Sequence, residues 1–261
     1  MSDILKLSVS KTKTFLDCKK KYKFSYIQKL PKKERDYHIF GKFCHKVLED
    51  FHIFYINGST DLLHVAMSKA YKNALAEYKD KMTADMKSEC KSIIDKYLQI
   101  VVEDKKNNKS PNVIACEKEF NFPINENVIL NGMIDRVQID ADNVIHVCDY
   151  KTTKNKKFLK NDFFQLLTYA YVMIKDDPTI QKVRGSYILL RHDFEYITIE
   201  FGLPEILAIK EKYINYANQI MSETEFPPNP TILCNYCDFL DVCDSAGSIV
   251  KKSEKFGEVS W

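Results

Sequence analysis

The order of secondary structure in this 261-residue sequence predicts a mixed α/β fold, in which a β-sheet packs against helices. Helical patterns dominate residues 8–106. Strand patterns then alternate with single helices, and the chain continues into an irregular, cysteine-rich segment. The length suits one large domain or two small ones, and we expect residues 1–261 to form one domain.

Four helices are predicted in the first part of the chain, over residues 8–28, 37–56, 61–79 and 83–106. Ser8 or Ser10 can cap the first helix, and Asn57-Gly58 closes the second. The last two helices supply bulk and no recognisable chemistry. We therefore expect residues 57–112 to be a helical insertion.

Strands begin at Val113, after the break at Asn107-Asn108-Lys109-Ser110-Pro111. The later elements are a helix over 162–175, strands over 183–191 and 194–201, and a helix over 204–222. An irregular segment starts at Phe226. The resulting order of helices, three strands, helix, two strands and helix is typical of a mixed sheet with helical packing.

The stretch from Gly132 to Lys151 reads as a β-hairpin, because side chains of one parity share a face of a strand. Residues 141–143 suit a three-residue loop with Asn143 in the left-handed conformation. In that register Val137 lies opposite Val147, and Ile139 lies opposite Ile145. The hairpin therefore carries an apolar stripe on one face.

The same register places Asp135 opposite Asp149 at the end of the apolar stripe. Two carboxylates so close repel each other, and a divalent metal ion between them removes the repulsion. Lys151 adds a positive charge on the same face. A metal ion beside an ammonium group suits phosphoryl chemistry, although the hairpin alone is equally compatible with a surface salt-bridge cluster.

Three further side chains are candidates for the same site. His45 follows Gly41 by four residues on a predicted helix, so a third metal ligand could approach closely there. Gln165 and Tyr169 share one face of a later helix and could reach a phosphate or a base. Each of these residues taken alone also fits an ordinary packed or surface position.

Positive charge is concentrated locally, although the formal net charge is only +3. Residues 1–33 contain ten Lys against the two acids Asp3 and Asp17. A second basic run follows the hairpin and comprises Lys151, Lys154, Lys156, Lys157 and Lys160. Such runs suit a polyanion such as nucleic acid, and a solvated lysine-rich surface is the alternative.

The N-terminus lacks the apolar core of a signal peptide, and the apolar run over 166–174 is too short to span a bilayer. We therefore expect a cytoplasmic protein without a membrane partner, whose eight cysteines are core residues or metal ligands. Cys234, Cys237 and Cys243 lie close in sequence, and Cys18 could supply a fourth thiolate for structural zinc or an iron-sulfur cluster. The remaining cysteines suit the core: Cys44, Cys90, Cys116 and Cys148.

Several short motifs together resemble the PD-(D/E)XK nuclease superfamily, in its RecB-like branch that carries a cysteine-ligated iron-sulfur cluster. This branch includes CRISPR-associated exonucleases and related phage and recombination nucleases. The ordered set covers nearly the whole chain except residues 57–112. Its members are Leu7-Ser8-x-Ser10-x4-Phe15-x2-Cys18-x3-Tyr22-x-Phe24, Gly41-x3-His45, Gly132-x-Ile134-Asp135-Arg136, Asp149-Tyr150-Lys151-Thr152, Gln165-x3-Tyr169 and the C-terminal cysteines.

The resemblance implies a restriction-endonuclease-like sheet and a role for each matched residue. His45, Asp135, Asp149 and the backbone carbonyl of Tyr150 would bind Mg²⁺ or Mn²⁺. Lys151 would orient or deprotonate the attacking water. Gln165 and Tyr169 would help to hold the scissile strand. A [4Fe-4S] cluster, held by Cys18, Cys234, Cys237 and Cys243, would join the cysteine-rich segment 226–245 to the start of the chain.

The sequence therefore predicts a metal-dependent DNA exonuclease that acts on single-stranded ends in recombination, repair, phage DNA metabolism or CRISPR adaptation, with partners from recombination or CRISPR systems. Two alternatives remain at this stage. One is a catalytically silent DNA-binding subunit of such a complex. The other is a small zinc-ribbon interaction protein with a fortuitous hairpin.

Overall fold

The structure is a computed structural model that describes residues 4–159 and 162–245. The chain has a mixed α/β fold, as predicted. It divides into two compact units. The described residues within Met1–Glu34, Pro123–Leu130 and Lys212–Trp261 form the first unit, and those within Arg35–Phe122 and Asn131–Glu211 form the second.

The helices are α1 Val9–Asp17, α2 Lys19–Tyr22, α3 Asp36–Ile56, α4 Leu63–Tyr78, α5 Ala84–Lys106, α6 Phe164–Asp176 and α7 Leu203–Ser222. The strands are β1 Leu5–Leu7, β2 Asn112–Asn125, β3 Val128–Ile139, β4 Ile145–Lys151, β5 Lys182–Leu189 and β6 Glu195–Gly202. Shorter turns are the π-helix Lys23–Ile27 and the 3-10 helices Lys156–Leu159, Ile232–Tyr236 and Leu240–Val242.

Strands β3 to β6 form the mixed sheet of the second unit. β3 pairs antiparallel with β4, β4 pairs parallel with β5, and β5 pairs antiparallel with β6. In the first unit, β1 runs parallel to Val128–Leu130 of β3. Sequence patterns missed β1 because three residues are too few to establish an alternation.

The predicted hairpin register is confirmed. Val137 pairs with Val147, and Asn143 has the left-handed φ of 60° that the loop requires. The prediction that one face of the hairpin is the buried one is incomplete, because Arg136 and Cys148 on the opposite face are also buried. β4 pairs on both sides and lies inside the sheet, so both of its faces are covered.

The single helix predicted over residues 8–28 is wrong. It is interrupted at Cys18, which adopts extended dihedrals of φ −161° and ψ 109° between α1 and α2. The Cys18 sulfur accepts a hydrogen bond from Lys21 N (3.4 Å) and so caps α2. Ser8 caps α1, as one of the two predicted alternatives.

The core of the second unit joins α3, α4 and α5 to the sheet. Cys44, Cys90 and Cys148 are completely buried in it, as predicted. Cys116 is only half-buried, which departs from the prediction. Among the described residues, no helix combines the length and apolar character needed to cross a membrane.

Candidate metal and catalytic centre

The two hairpin aspartates lie in the interior of the second unit, with Asp135 only 9% exposed and Asp149 only 3%. The Tyr150 backbone N–H donates to Asp135 Oδ2 at 2.8 Å, which fixes this carboxylate against β4. Burial, and then repulsion by Asp149, raises the pKa of Asp135 to about 6. The two acids therefore strain each other electrostatically, as their register predicts.

Helix α3 brings His45 to the hairpin. A Cβ on Gly41 would lie 3.3 Å from Thr152 Oγ1, so the glycine leaves room for the close approach that the sequence suggested. His45 Nε2 lies 3.0 Å from the carbonyl oxygen of Tyr150, and its Nδ1 lies 3.4 Å from Asp135 Oδ2. His45 thus contacts both hairpin strands through one imidazole ring.

Glu117 of β2 joins this cluster, and sequence reasoning missed it. One ligand atom from each of His45, Glu117 and Asp135 lies within 4.8 Å of the other two. Burial, and then repulsion by Asp135, raises the pKa of Glu117 to about 7. Its φ of 46° breaks the regular alternation of the strand, so no local periodicity could have identified this residue.

A hydrogen-bonded network surrounds Asp149. Gln165 Nε2 donates to Asp149 Oδ1 at 2.6 Å and also lies 2.7 Å from the Tyr169 hydroxyl. The Tyr169 hydroxyl is 3.3 Å from the same carboxylate oxygen. Lys151 Nζ donates to Gln165 Oε1 at 2.9 Å. The structure therefore brings together Asp149, Lys151, Gln165 and Tyr169, whose catalytic roles stay a prediction.

The Lys151 ammonium group forms a close ion pair with Asp149, with Nζ 2.6 Å from Oδ2. Burial lowers the pKa of Lys151, but the attraction of Asp149 and then of Asp135 outweighs it, and the net shift is upward. Lys151 is therefore positively charged at neutral pH. Asp149 Oδ2 is buried and accepts no hydrogen bond of regular geometry within the described ranges.

These donors fit a divalent cation. Carboxylate and carbonyl oxygens are the ligands that Mg²⁺ prefers, and imidazole suits several transition metals. Neighbouring ligands of an octahedral ion with bonds of about 2.1 Å lie about 3.0 Å apart. The separation of His45 Nε2 from the Tyr150 carbonyl oxygen has this value, and Asp149 Oδ2 retains a lone pair for a ligand.

The four predicted cluster ligands lie together in the first unit. Cys18, Cys234, Cys237 and Cys243 line one pocket of about 360 Å³ that is partly open to solvent. The break between α1 and α2 places Cys18 there, and the two C-terminal 3-10 helices carry the other cysteines. Whether these thiols bind a metal group stays a prediction.

The second basic run is dispersed. Lys151 lies in the centre described above, and Lys156 forms an ion pair with Glu195. Lys160 lies outside the described residues. Positive charge in this run is therefore already partly neutralised by acids of the same unit.

Two curated proteins match this chain at similar identity, and both are named as subunits of an ATP-dependent helicase/deoxyribonuclease. The match to the protein from Streptococcus agalactiae is 26% identical over 190 residues and covers 69% of this chain and 17% of the relative. The match to the protein from Clostridium perfringens is 27% identical over 232 residues and covers 72% and 19%. The chain thus matches less than one fifth of the length of either relative.

The crystal structure of a candidate exonuclease from Eubacterium rectale has a similar fold, with a TM-score of 0.51 and 11% sequence identity. The similarity covers 97% of this chain and 90% of the other. The family model of the PD-(D/E)XK nuclease superfamily matches residues 6–244, which includes both units and every candidate residue described above. The chain belongs to the PD-(D/E)XK nuclease superfamily.

Proposed function

We propose that this protein is a metal-dependent DNA nuclease of the RecB-like branch, which hydrolyses phosphodiester bonds as an exonuclease on single-stranded ends. The observation that carries this proposal is the convergence of His45, Glu117 and Asp135 beside the ion pair of Asp149 and Lys151. Family membership supplies the reaction class. The names of the curated relatives support DNA as the substrate.

His45, Asp135, Asp149 and the Tyr150 carbonyl would hold Mg²⁺ or Mn²⁺, and Glu117 is positioned to join them. When bound, such an ion lowers the pKa of a coordinated water and stabilises charge on the phosphate. Asp135 and Glu117 both have raised pKa values. A cation beside them would favour their ionised forms and relieve the repulsion between the acids.

Lys151 would act as an ammonium group. Because its pKa is raised, it is better suited to orient the attacking water and to stabilise negative charge on the phosphate than to remove a proton. Gln165 holds both Lys151 and Asp149 by side-chain hydrogen bonds. Gln165 and Tyr169 would thereby set the direction of the ammonium group and help to hold the scissile strand.

We also propose that Cys18, Cys234, Cys237 and Cys243 bind a [4Fe-4S] cluster with a structural role. Zinc held by four thiolates at about 2.3 Å would place the sulfurs about 3.8 Å apart. In the described part of the chain, no three cysteine sulfurs lie within 4.8 Å of one another. A four-iron cluster is several ångströms wide, so this spacing favours it over zinc.

We infer that residues 1–261 work as one nuclease domain, with 57–112 as an insertion, because one family model extends across both units. Expression in the cytoplasm fits both proposed metal groups, since reduced thiolates are needed for the cluster. The curated relatives are named as subunits. A protein partner from a recombination or CRISPR complex is therefore part of the proposal.

A catalytically silent DNA-binding subunit is the second candidate, and the subunit names of the relatives favour it. The charged state of Lys151 and its contacts with Asp149 speak for an active site instead. A cleavage assay with added Mn²⁺ separates the two. Binding of DNA without cleavage at any Mn²⁺ concentration would establish the silent subunit.

The substrate proposal is tested with DNA labelled at either end and offered as single strands, blunt duplexes, flaps and circles. An exonuclease for single-stranded ends should degrade linear single strands and flaps, leave circles intact, and release label from one end first. Lys72→Ala, a change of an exposed lysine on α4, serves as a control that should retain full activity. Cleavage of circular single strands at the same rate would contradict the requirement for an end.

A further inference from the structure

A group of four lysines surrounds one tyrosine at the start of the first unit, and we name it the basic N-terminal patch. Its members are Lys6, Lys11, Tyr26, Lys29 and Lys32. The Tyr26 ring centroid lies 5.4 Å from Lys11 Nζ and 5.0 Å from Lys32 Nζ. Lys11 Nζ donates to the carbonyl oxygen of Lys6 at 2.8 Å. The two ammonium groups are therefore held against one aromatic ring.

The charges of the patch are not neutralised within the part of the chain that the structure describes. Lys6, Lys11, Lys29 and Lys32 form no ion pair there. Neighbouring lysines differ, since Lys19, Lys20 and Lys33 pair with acids: Glu223, Asp244 and Asp241. Burial, and then repulsion by Lys6 and Lys29, lowers the pKa of Lys11. Concentrated cations of this kind are relieved by a bound anion.

The backbone of the patch is unusual at two positions. Tyr26 belongs to the π-helix Lys23–Ile27, a rare conformation that is frequent at functional sites. Lys29 has a left-handed φ of 52° and precedes the bond from Leu30 N to Phe24 O (2.9 Å) that closes the turn. Glycine is the residue that this position favours. The protein has a charged side chain there instead.

We propose that the basic N-terminal patch binds the phosphodiester backbone of the DNA strand on which the nuclease acts. The inference rests on the proposed function for its choice of DNA as the polyanion. Lysine ammonium groups contact phosphates without reading sequence. The patch would therefore increase affinity equally for all sequences, and it would leave the chemistry at Asp135 and Asp149 unchanged.

The magnitude of the effect follows from counterion release. For single strands, log K falls with log salt by about 0.7 per neutralised phosphate. Four lysines that each contact one phosphate would contribute about 2.8 to that slope. Changing them to glutamine should therefore remove much of the salt dependence between about 50 and 200 mM, over which the contribution amounts to about fifty-fold in affinity.

The test measures binding of labelled oligo(dT) by fluorescence anisotropy, in EDTA and over a range of salt concentrations. The test variant carries Lys6→Gln, Lys11→Gln, Lys29→Gln and Lys32→Gln. A matched control carries the same change at four exposed lysines of the helical segment: Lys72, Lys79, Lys91 and Lys105. The patch variant should bind at least tenfold more weakly at low salt, with a slope lower by about 3, while the control behaves like the wild type.

Lys29→Gly separates the charge from the fold. This change removes one cation and relieves a left-handed backbone, so melting temperature should hold or rise while the salt slope falls by about 0.7. A slope that is unchanged in both the quadruple variant and Lys29→Gly would overturn the proposal. Loss of binding to anionic lipid vesicles, with DNA binding intact, would overturn it as well.

The two proposals fail in different ways. If wild-type protein degrades DNA and the quadruple variant keeps its affinity and slope, only the patch assignment is wrong. If the wild type never cleaves DNA but loses its salt-dependent binding in the quadruple variant, the patch assignment stands and the nuclease proposal fails.

Discussion

The backbone N–H of Tyr150 donates a hydrogen bond to the side-chain carboxylate of Asp135, with 2.8 Å between nitrogen and Oδ2. This bond joins the functional ends of β3 and β4 at the level of the candidate metal site. The carbonyl oxygen of the same tyrosine lies 3.0 Å from His45 Nε2. One residue thus positions an acid from the hairpin and an imidazole from α3.

The first prediction concerns pH and follows from the raised pKa of Asp135, which moves from 3.8 to about 6. Between these values the folded protein retains a proton that the unfolded chain has lost. Stability of the metal-free protein should therefore fall as pH rises from about 4 to about 6. Glu117, with a pKa of about 7, extends the fall towards neutrality.

Thermal melts of wild type and Asp135→Asn in EDTA check this prediction. The stability difference, variant minus wild type, should grow as pH rises through this window and then level off. Adding Mg²⁺ or Mn²⁺ at pH 7 should raise the melting temperature of the wild type and leave the variant nearly unchanged. A difference that does not vary with pH would contradict the electrostatic account.

Gln165 bridges Lys151 and Asp149, so its two ends have different tasks. Gln165→Glu keeps an oxygen for Lys151 but replaces the donor to Asp149 with a second negative group. We expect turnover to fall by about 10² to 10³, in the range found when a preorganised donor is removed.

Tyr169→Phe removes only the hydroxyl group near Asp149, and a fall of about tenfold is expected. Single-turnover rates on one labelled strand measure both changes, with melting temperature as the check on folding. Equal losses for Gln165→Glu and Tyr169→Phe would argue against the bridging role of Gln165.

Gly132 of the hairpin is required by packing. A Cβ at this position would lie 2.5 Å from Cζ of Phe120, which is too close for any unshifted arrangement. Gly132→Ala should lower stability by about 1 to 3 kcal/mol, as overpacking typically does. Because the conflict is with one ring, Phe120→Leu should restore part of the loss in the double variant. Denaturant titration of the four proteins gives the coupling energy.

Arg136 is fully buried, and its guanidinium reaches three tyrosine hydroxyls and one amide. Its contacts are Tyr97 (3.2 Å), Tyr150 (3.2 Å), Tyr196 (3.0 Å) and Gln138. Arg136→Met leaves these groups without their donor, so we expect a loss of about 3 kcal/mol. Tyr150→Phe removes one of the bonds and should cost about 1 kcal/mol.

Metal affinity should respond to Arg136 as well. The guanidinium holds the Tyr150 ring, and the backbone of Tyr150 contacts Asp135 and His45. Mg²⁺ titration by calorimetry should show weaker binding in Arg136→Met than in the wild type. Unchanged affinity in a folded variant would limit Arg136 to a role in stability.

The cysteine pocket makes a spectroscopic prediction. Protein purified without oxygen should be brown and absorb near 400 nm if Cys18, Cys234, Cys237 and Cys243 hold the proposed cluster. Cys237→Ser should lose the colour and melt at a lower temperature. Cys116→Ser, at a half-buried cysteine outside the pocket, is the matched control and should keep the colour. A colourless wild type with one bound zinc would replace the cluster by zinc.

Local patterns were sufficient for the elements of the fold that depend on near neighbours. The register of the hairpin follows from alternation and from Asn143 in the loop, and the structure has that register. The helices of the insertion follow from their periodicity in the same way. Such features are encoded within a few turns or strand pairs.

Features that depend on distant contacts could not be obtained from the same patterns. Helical periodicity continues through Cys18, so nothing local indicates the break that places its sulfur in the pocket. Glu117 is one acid in a charged strand until the fold places it near His45. The surroundings of Arg136 likewise come from α5, β4 and β6.

The most direct test of the central claim compares wild type, Asp135→Ala and Lys151→Ala on end-labelled single-stranded DNA, with Mg²⁺, Mn²⁺ or EDTA. The account predicts degradation by the wild type with either metal and none in EDTA. Both variants should fold, bind the DNA and lose at least 10³-fold in rate. Undiminished degradation by either variant would contradict the assignment of this centre as the active site.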